Sequence, residues 1–467
     1  MTSKQSLYSL FYNRWAIGCL SILLVQQIIE ASTTIWLVKL MQNITRGDNF
    51  TPDLILCLSS LALAYIPQCI AFILKITWKQ EAQRTFINSF VESNKNNINE
   101  WSNKGIKEQK LSVLTSEGPA AIHAFIDYVW DLYTYVLSVF LNMMALSIIL
   151  EPMFIITYGL SVVLVIIVMK FKRRAQRQLT LKALSARVEL AQSLLAAWDN
   201  VLLGNEYNFK LWEAKTTNRL DRCVQRNVAL ERFDQFLAIV VSLITSVPSL
   251  LLVVYCVYIH RNNPVELSAF IVVLPLLFNN LSYTYQTLSL AFRWTMHRSK
   301  LTSIYKSIQA SKYAPTSMEK KVQWPKIQVV EQLFTPDTDH VSLPGPPQFI
   351  RSCHDLLQKA STFCRLTIRG DNGSGKSTML MLVKKALEHR AFFLPTQNQL
   401  SFIAQPHKHS TGEELKNRLA EIIDMVDVDV LLLDEWDANL DKENQECLSR
   451  MIDEWAQKKC VIEVRHR

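Results

Sequence analysis

A chain of 467 residues in which 49% are hydrophobic and only 19% charged is too apolar for an ordinary soluble protein. Its net charge of +9 does not describe a nucleic-acid surface, because the Lys and Arg residues flank apolar runs and no base-reading pattern accompanies them. Nucleic acid is therefore excluded as a partner, and a lipid bilayer is expected in its place.

In chain order, six apolar runs come first, over residues 15–41, 54–78, 125–150, 153–169, 236–260 and 267–292. Each reaches or approaches the ~20 residues with which a helix crosses the hydrocarbon core. The last two contain no Asp, Glu, Lys or Arg. Buried helices of a soluble core would not supply six such lengths in succession. Segment 172–232 carries twelve Lys and Arg residues and segment 79–123 carries six, whereas the short connections within span pairs hold only Arg46 and Arg261. This asymmetry predicts a multi-pass protein of the cell (inner) membrane, with both long loops and both termini cytoplasmic.

Segment 172–235 has no proline and a single glycine, Gly204, a composition that favours helix. Spans 4 and 5 are thus expected to run on beyond the bilayer as long helices that turn back near Asp199–Lys210, and spans 2 and 3 to do likewise with a break near Gly118 and Pro119. After span 6, residues 293–309 read as a basic amphipathic helix, and QVVEQLF (328–334) as a strand. The expected division is a membrane domain over 1–310 and a soluble domain over 311–467. Nine cysteines show no CxxC and no metal-ligand spacing, so free thiols in a reducing compartment are expected. The first apolar run is too long for a signal-peptide core.

The chemistry starts at residues 365–378, RLTIRGDNGSGKST. An apolar β-type run leads into Gly370, Asp371, Asn372, Gly373, Ser374, Gly375, Lys376, Ser377 and Thr378, followed by a helical stretch. This is G-x-x-x-x-G-K-S between a strand and a helix, the setting in which it binds nucleotide phosphates. The glycines let backbone N–H groups converge on the phosphates, and the helix N-terminus adds partial positive charge. Lys376 is placed to bridge the β- and γ-phosphates and Ser377 to ligate Mg²⁺. Downstream, Val430–Asp434 is an apolar strand ending in two carboxylates. Asp434 suits the Mg²⁺ shell, and Glu435 suits a base that orients or deprotonates attacking water. ATP and Mg²⁺ are the expected cofactors.

With these motifs the chain resembles an ATP-binding-cassette (ABC) transporter of the exporter type, a half-transporter of six spans and one cassette, over nearly its whole length. Residues 436–441, ending in Leu440 and Asp441, match the family's D-loop, and His466 lies where the family places its switch histidine. The resemblance makes Gln405 the Q-loop residue that touches Mg²⁺, and groups it with Glu435 and His466 as catalytic. It makes Ser410, Thr411, Gly412 and Glu413 a signature-like loop acting on the partner's ATP, although Thr411 replaces a glycine and Glu413 a glutamine. Independently, Ser410 reads as the N-cap of a following helix. Only residues 406–409 separate Gln405 from Ser410, where the family has a helical lobe. The fold class expected is thus an α-helical membrane domain of six transmembrane helices followed by a P-loop α/β nucleotide-binding domain with a reduced helical subdomain. The resemblance further implies a second half-transporter as partner, a homodimer in preference to a heterodimer, because each signature loop completes the other subunit's site.

Polar residues inside spans are costly and are function candidates by default. Gln26 and Glu30 share one helical face, Asp131 lies in span 3 four residues after Asp127, and Asn279, Asn280, Tyr283 and Gln286 lie in span 6. Gln26, Glu30 and Asp131 are the transport-pathway candidates, and acids beside aromatics suit an amphipathic, cationic or peptidic cargo. The expected function is ATP-driven export of a solute. Two rivals are a membrane-anchored ATP-binding switch that does not pump, and an ion-gradient-driven transporter with a vestigial cassette.

Overall fold

The computed structural model describes residues 13–308, 316–334, 344–360, 364–396, 400–403, 411–438 and 440–465, apart from 96 and 102. It has a helical N-terminal region with six helices long and apolar enough to cross a membrane, then an α/β domain built on a mixed six-stranded sheet. Two compact units result. The first holds residues up to Asn88 together with Leu114–Ser307; the second holds Ser89–Val113 together with Ile308–Arg467.

In the first unit, α1 (Arg14–Arg46) starts at Asn13, whose side chain accepts from the Trp15 N–H, and stops at Gly47, which takes φ +77° as its C-cap. α2 (Thr51–Leu63) continues through Ala64, itself in right-handed helical conformation, into α3 (Tyr65–Asn94), and the two together form one candidate span. Two short helices follow, α4 (Ile98–Trp101) and α5 (Lys104–Ser112), and a π-helical turn over Val113–Glu117 precedes α6 (Gly118–Ile149). The break near Gly118 is therefore a widened helical turn, with Pro119 in the first turn of α6, where its missing N–H costs nothing.

Helices α7 (Met153–Leu195), α8 (Ala197–Leu202), α9 (Glu206–Ile259) and α10 (Pro264–Ser307) complete the unit. The chain reverses at Gly204, whose φ of +69° only glycine takes freely. Polar links join α7 to α9 along their length: Gln176 Nε2 donates to Asp234 (3.0 Å), Arg187 Nε to Asn227 (2.7 Å), and Trp212 Nε1 to the Ser193 carbonyl (2.9 Å). Between the helices Val38, Phe154, Leu252, Phe270 and Val273 pack into a buried cluster. Large aliphatics such as Ile156, Ile166, Leu251 and Val254 face outward.

In the second unit, the short helix α11 (Thr316–Glu319) leads to the sheet, whose order is β2-β1-β3-β6-β5-β4. β1 (Gln328–Leu333) pairs antiparallel with β2 (Gln348–Phe349) and with β3 (Cys364–Arg369); β3, β6 (Cys460–Val464), β5 (Val430–Asp434) and β4 (Ala391–Leu394) run parallel. β5 and β6 are buried along their whole length, which is why they read as continuous apolar runs rather than alternating ones. Their side chains still alternate between faces. Val430 and Leu432 join the cluster around α13 (Lys376–Leu387), whereas Leu431 and Leu433 join Leu419, Ile422, Leu448 and Ile452 of α14 (Thr411–Met425) and α15 (Lys442–Ala456). Helix α12 (Cys353–Lys359) packs Leu356 on the α13 side. Segment Ser89–Val113 belongs to this unit through Ile98, which packs on the α13-side core, and Trp101, whose ring meets Phe393 edge-on at 5.7 Å. Nothing in the hydropathy of that segment announces the docking.

One buried polar network crosses the α14–α15 face. The Arg365 guanidinium pairs with both oxygens of Glu463 (3.1 and 2.9 Å) and with Asp453 (2.7 Å), while Thr367 and the Trp436 indole N–H also donate to Glu463. Burial opposes ionisation of Glu463, but the charge and hydrogen bonds of Arg365, aided by Arg465 and Trp436, outweigh it and hold the carboxyl below its usual range.

Candidate functional site

The glycine-rich loop joins β3 to α13, and its shape follows from three glycines. Gly373 and Gly375 take φ of +83° and +92°, values a side chain resists. Gly375 is also crowded, since a Cβ there would lie 2.8 Å from the Lys321 carbonyl oxygen, and one at Gly370 would lie 2.8 Å from that of Lys326. Segment 321–327 thus covers the loop with its backbone, fastened by the Gln323 N–H to the Ser374 carbonyl (2.9 Å).

Lys376 is buried at the head of α13, and its ammonium donates to the loop carbonyls of Gly370 (2.8 Å) and Asp371 (3.2 Å). Ser377 Oγ donates to Asp434 Oδ1 at 3.0 Å, joining the first turn of α13 to the end of β5. These two residues are 57 positions apart in sequence, and the parallel sheet brings them together because β3 and β5 end on the same edge with β6 between them. Burial raises the Asp434 carboxyl above its ordinary range, with the charge of Glu435 adding to it, although Ser377 and Lys376 pull the other way. Glu435 follows with φ +46°, a left-handed conformation unusual for a residue with a side chain. Its N–H donates to the Val464 carbonyl (2.8 Å), which fixes the end of β5 against β6.

A nucleotide triphosphate with Mg²⁺ fits these residues on three observations. Ser374 Oγ is buried in the loop with no hydrogen-bond partner among the described residues. Among the described residues the Lys376 ammonium is held by two loop carbonyls, which a phosphate can replace. A hydroxyl and a carboxylate, hard oxygen donors of the kind Mg²⁺ takes, already sit side by side.

Asp371, Asn372 and Thr378 belong to the same loop and helix start. Gln405, Ser410 and His466 lie outside the described residues. α14 opens at Thr411, and Gly412 packs so closely on Asn444 that a Cβ would lie 2.6 Å from its amide; Glu413 lies in the same first turn. Among the residues matched to the D-loop, Asp441 caps α15 by accepting from the Asn444 N–H (2.8 Å). Of the aromatics flanking β1, Phe334 is buried in the α14–α15 core, and Trp324 packs partly on the α13-side core. Thr396 was not evident from sequence: its hydroxyl donates to the Asp434 carbonyl (2.6 Å), a contact made by a loop with no motif of its own.

A second site lies within the membrane unit. A cavity of about 400 Å³ is lined by Gln26 and Glu30 of α1, Tyr65 and Gln68 of α3, Asn142 of α6, and Asn279, Asn280 and Tyr283 of α10. The side-chain amides of Gln26 (2.8 Å) and Gln27 (3.1 Å) both donate to Glu30 Oε2. Thr34 Oγ1 donates to Asn142 Oδ1 (3.2 Å) and Thr33 Oγ1 to Ser60 Oγ (2.9 Å), tying α1 to α6 and α2. Asn280 is buried, and neither its amide nitrogen nor its amide oxygen has a hydrogen-bond partner among the described residues. Asp131 does not line this cavity, and Asp127 is engaged by Lys75 and Lys79, each at 2.7 Å. Gln68 and Asn142 were overlooked in the sequence, although an isolated amide within a span is itself a signal.

Comparison with models of known protein families gives no match, and no curated protein matches this chain.

Proposed function

We propose that this chain is an ABC-type half-transporter that exports a solute at the expense of ATP, working as a dimer in the cell membrane with its α/β domain cytoplasmic. The observation that carries the reading is the 3.0 Å hydrogen bond from Ser377 to Asp434, at the junction of a glycine-rich loop, a helix start and a buried strand end. Lys376 would bind the β- and γ-phosphates, and the loop N–H groups would enclose them. Ser377 and Asp434, with Gln405, would hold Mg²⁺, which when bound neutralises phosphate charge. Glu435, held in a left-handed backbone conformation at the end of β5, would orient and deprotonate the attacking water. His466 would assist at the γ-phosphate, and Ser410–Glu413 would close the partner's site.

ATP turnover by purified protein in proteoliposomes tests this. Wild type is expected to hydrolyse ATP, and Lys376→Ala to lose both nucleotide binding and at least about 100-fold in rate. Absence of turnover in the wild type contradicts the reading. One observation favours a second reading, a membrane-anchored ATP-binding switch: only residues 395–410 separate β4 from α14, so the lobe that transmits force in the family is missing. Stoichiometric ATP binding without turnover would support it.

A further inference from the structure

The geometry points to the membrane-unit cavity as a binding site for a small organic monocation that carries at least one N–H donor and a compact apolar body. As a cargo site it rests on the export reading above; as a binding site it does not.

Depth comes first. Glu30 is the central residue of the 33-residue helix α1. Asn279 and Asn280 sit at the centre of the apolar run 267–292, and Tyr65 and Gln68 at the centre of 54–78. The cavity therefore lies midway along three spans, roughly 20 Å of helix from either end at 1.5 Å per residue. Polar groups there are expensive to keep unless something uses them.

Charge comes next. Glu30 is the one carboxylate among the lining residues, and no Lys, Arg or Asp faces it there. Both amide donors fall on Oε2, so Oε1 accepts no hydrogen bond among the described residues, and Glu30 forms no ion pair among them. The amides hold the carboxyl by hydrogen bonds and bring no positive charge to it. A single positive charge completes the site, whereas a second one would find no acidic partner among the lining residues.

Asn280 supplies the other half of the recognition. Asn280 is on the cavity wall with its donor and its acceptor both unpartnered among the described residues, so a rotation of its side chain toward the cavity would let a ligand hydroxyl, carbonyl or second N–H satisfy it. Leu37, Leu61, Leu146 and Leu276, with Tyr65 and Tyr283, provide the apolar and aromatic walls. A volume of about 400 Å³ is at the small end of the roughly 300–1,000 Å³ of small-molecule sites.

Equilibrium binding of tritiated phenylbutylamine to the full-length protein in lipid nanodiscs, without nucleotide, tests the assignment. Phenylbutanol serves as the neutral competitor and a diamine of equal length as the dication. Wild type is expected to bind the amine saturably, and the alcohol about tenfold or more weakly. Glu30→Gln abolishes that preference, Glu30→Asp retains it, and Asn280→Asp moves it toward the diamine. Equal affinity of wild type for amine and alcohol overturns the proposal, as does an amine preference that survives in a Glu30→Gln variant of unchanged elution volume and melting. The amine's effect on ATP turnover separates the two readings. Turnover without amine binding overturns the site and leaves export standing; amine binding without any change in turnover keeps the site and removes its role in export.

Discussion

The two polar centres of this protein are built on opposite plans. In the α/β unit, Glu463 is fully buried and every approach to it is taken: Arg365 twice, Arg465, Thr367 and Trp436. In the helical unit, among the described residues, Glu30 has amide donors on one oxygen alone, and Asn280 is buried with both amide atoms unpartnered. A satisfied network serves the fold and an unsatisfied one serves a ligand, because an orphaned buried polar group costs about 1–3 kcal/mol that the fold alone gains nothing from. The glycine-rich loop lies between these plans, with Lys376 engaged by carbonyls and Ser374 Oγ left over.

The comparison breaks hardest at Arg365. Replacing it with Met strands a buried carboxylate, and hydrogen-exchange protection of β3 and β6 amides is expected to fall by about 3–5 kcal/mol. Unchanged protection would show that Glu463 does not depend on its partner. The opposite sign is expected in the membrane unit. Asn280→Leu removes the orphaned amide, so resistance to unfolding in mixed micelles should rise by about 1–3 kcal/mol while phenylbutylamine affinity falls. A loss of stability would mean that Asn280 is already satisfied and that the cavity is structural.

A smaller effect follows pH. The folded-state pKa of Glu463 is depressed, so its contribution is fully present above the ordinary carboxylate value, roughly pH 4.3, and is lost as pH falls through the depressed one. Protection of β6 should therefore hold at neutral pH and weaken only under acid, and Arg365→Met should remove that acid-sensitive part.

What was legible in the sequence was local. The spans follow from run length and charge exclusion, the glycine-rich loop from residue spacing, and β5 from an apolar run ending in two acids. The shared face of Gln26 and Glu30 follows from helical period alone. What was not legible depends on distant partners. Arg365 and Glu463 are 98 residues apart, and they meet because β3 and β6 are neighbours in the sheet. Segment Ser89–Val113 reads as part of a helical hairpin, yet Ile98 and Trp101 find their packing in the α/β unit. Phe334 shows why an aromatic's role resists sequence reading, since a stacking platform and a core residue look alike until burial is known.

The most direct measurement of the central claim is ATP turnover and nucleotide retention by wild type beside Glu435→Gln, at matched folding. The account predicts that wild type cycles, and that the variant retains ATP while turnover falls by about 10²–10⁴-fold, the range for loss of a general base. Equal turnover in the two proteins, or none in either, would contradict it.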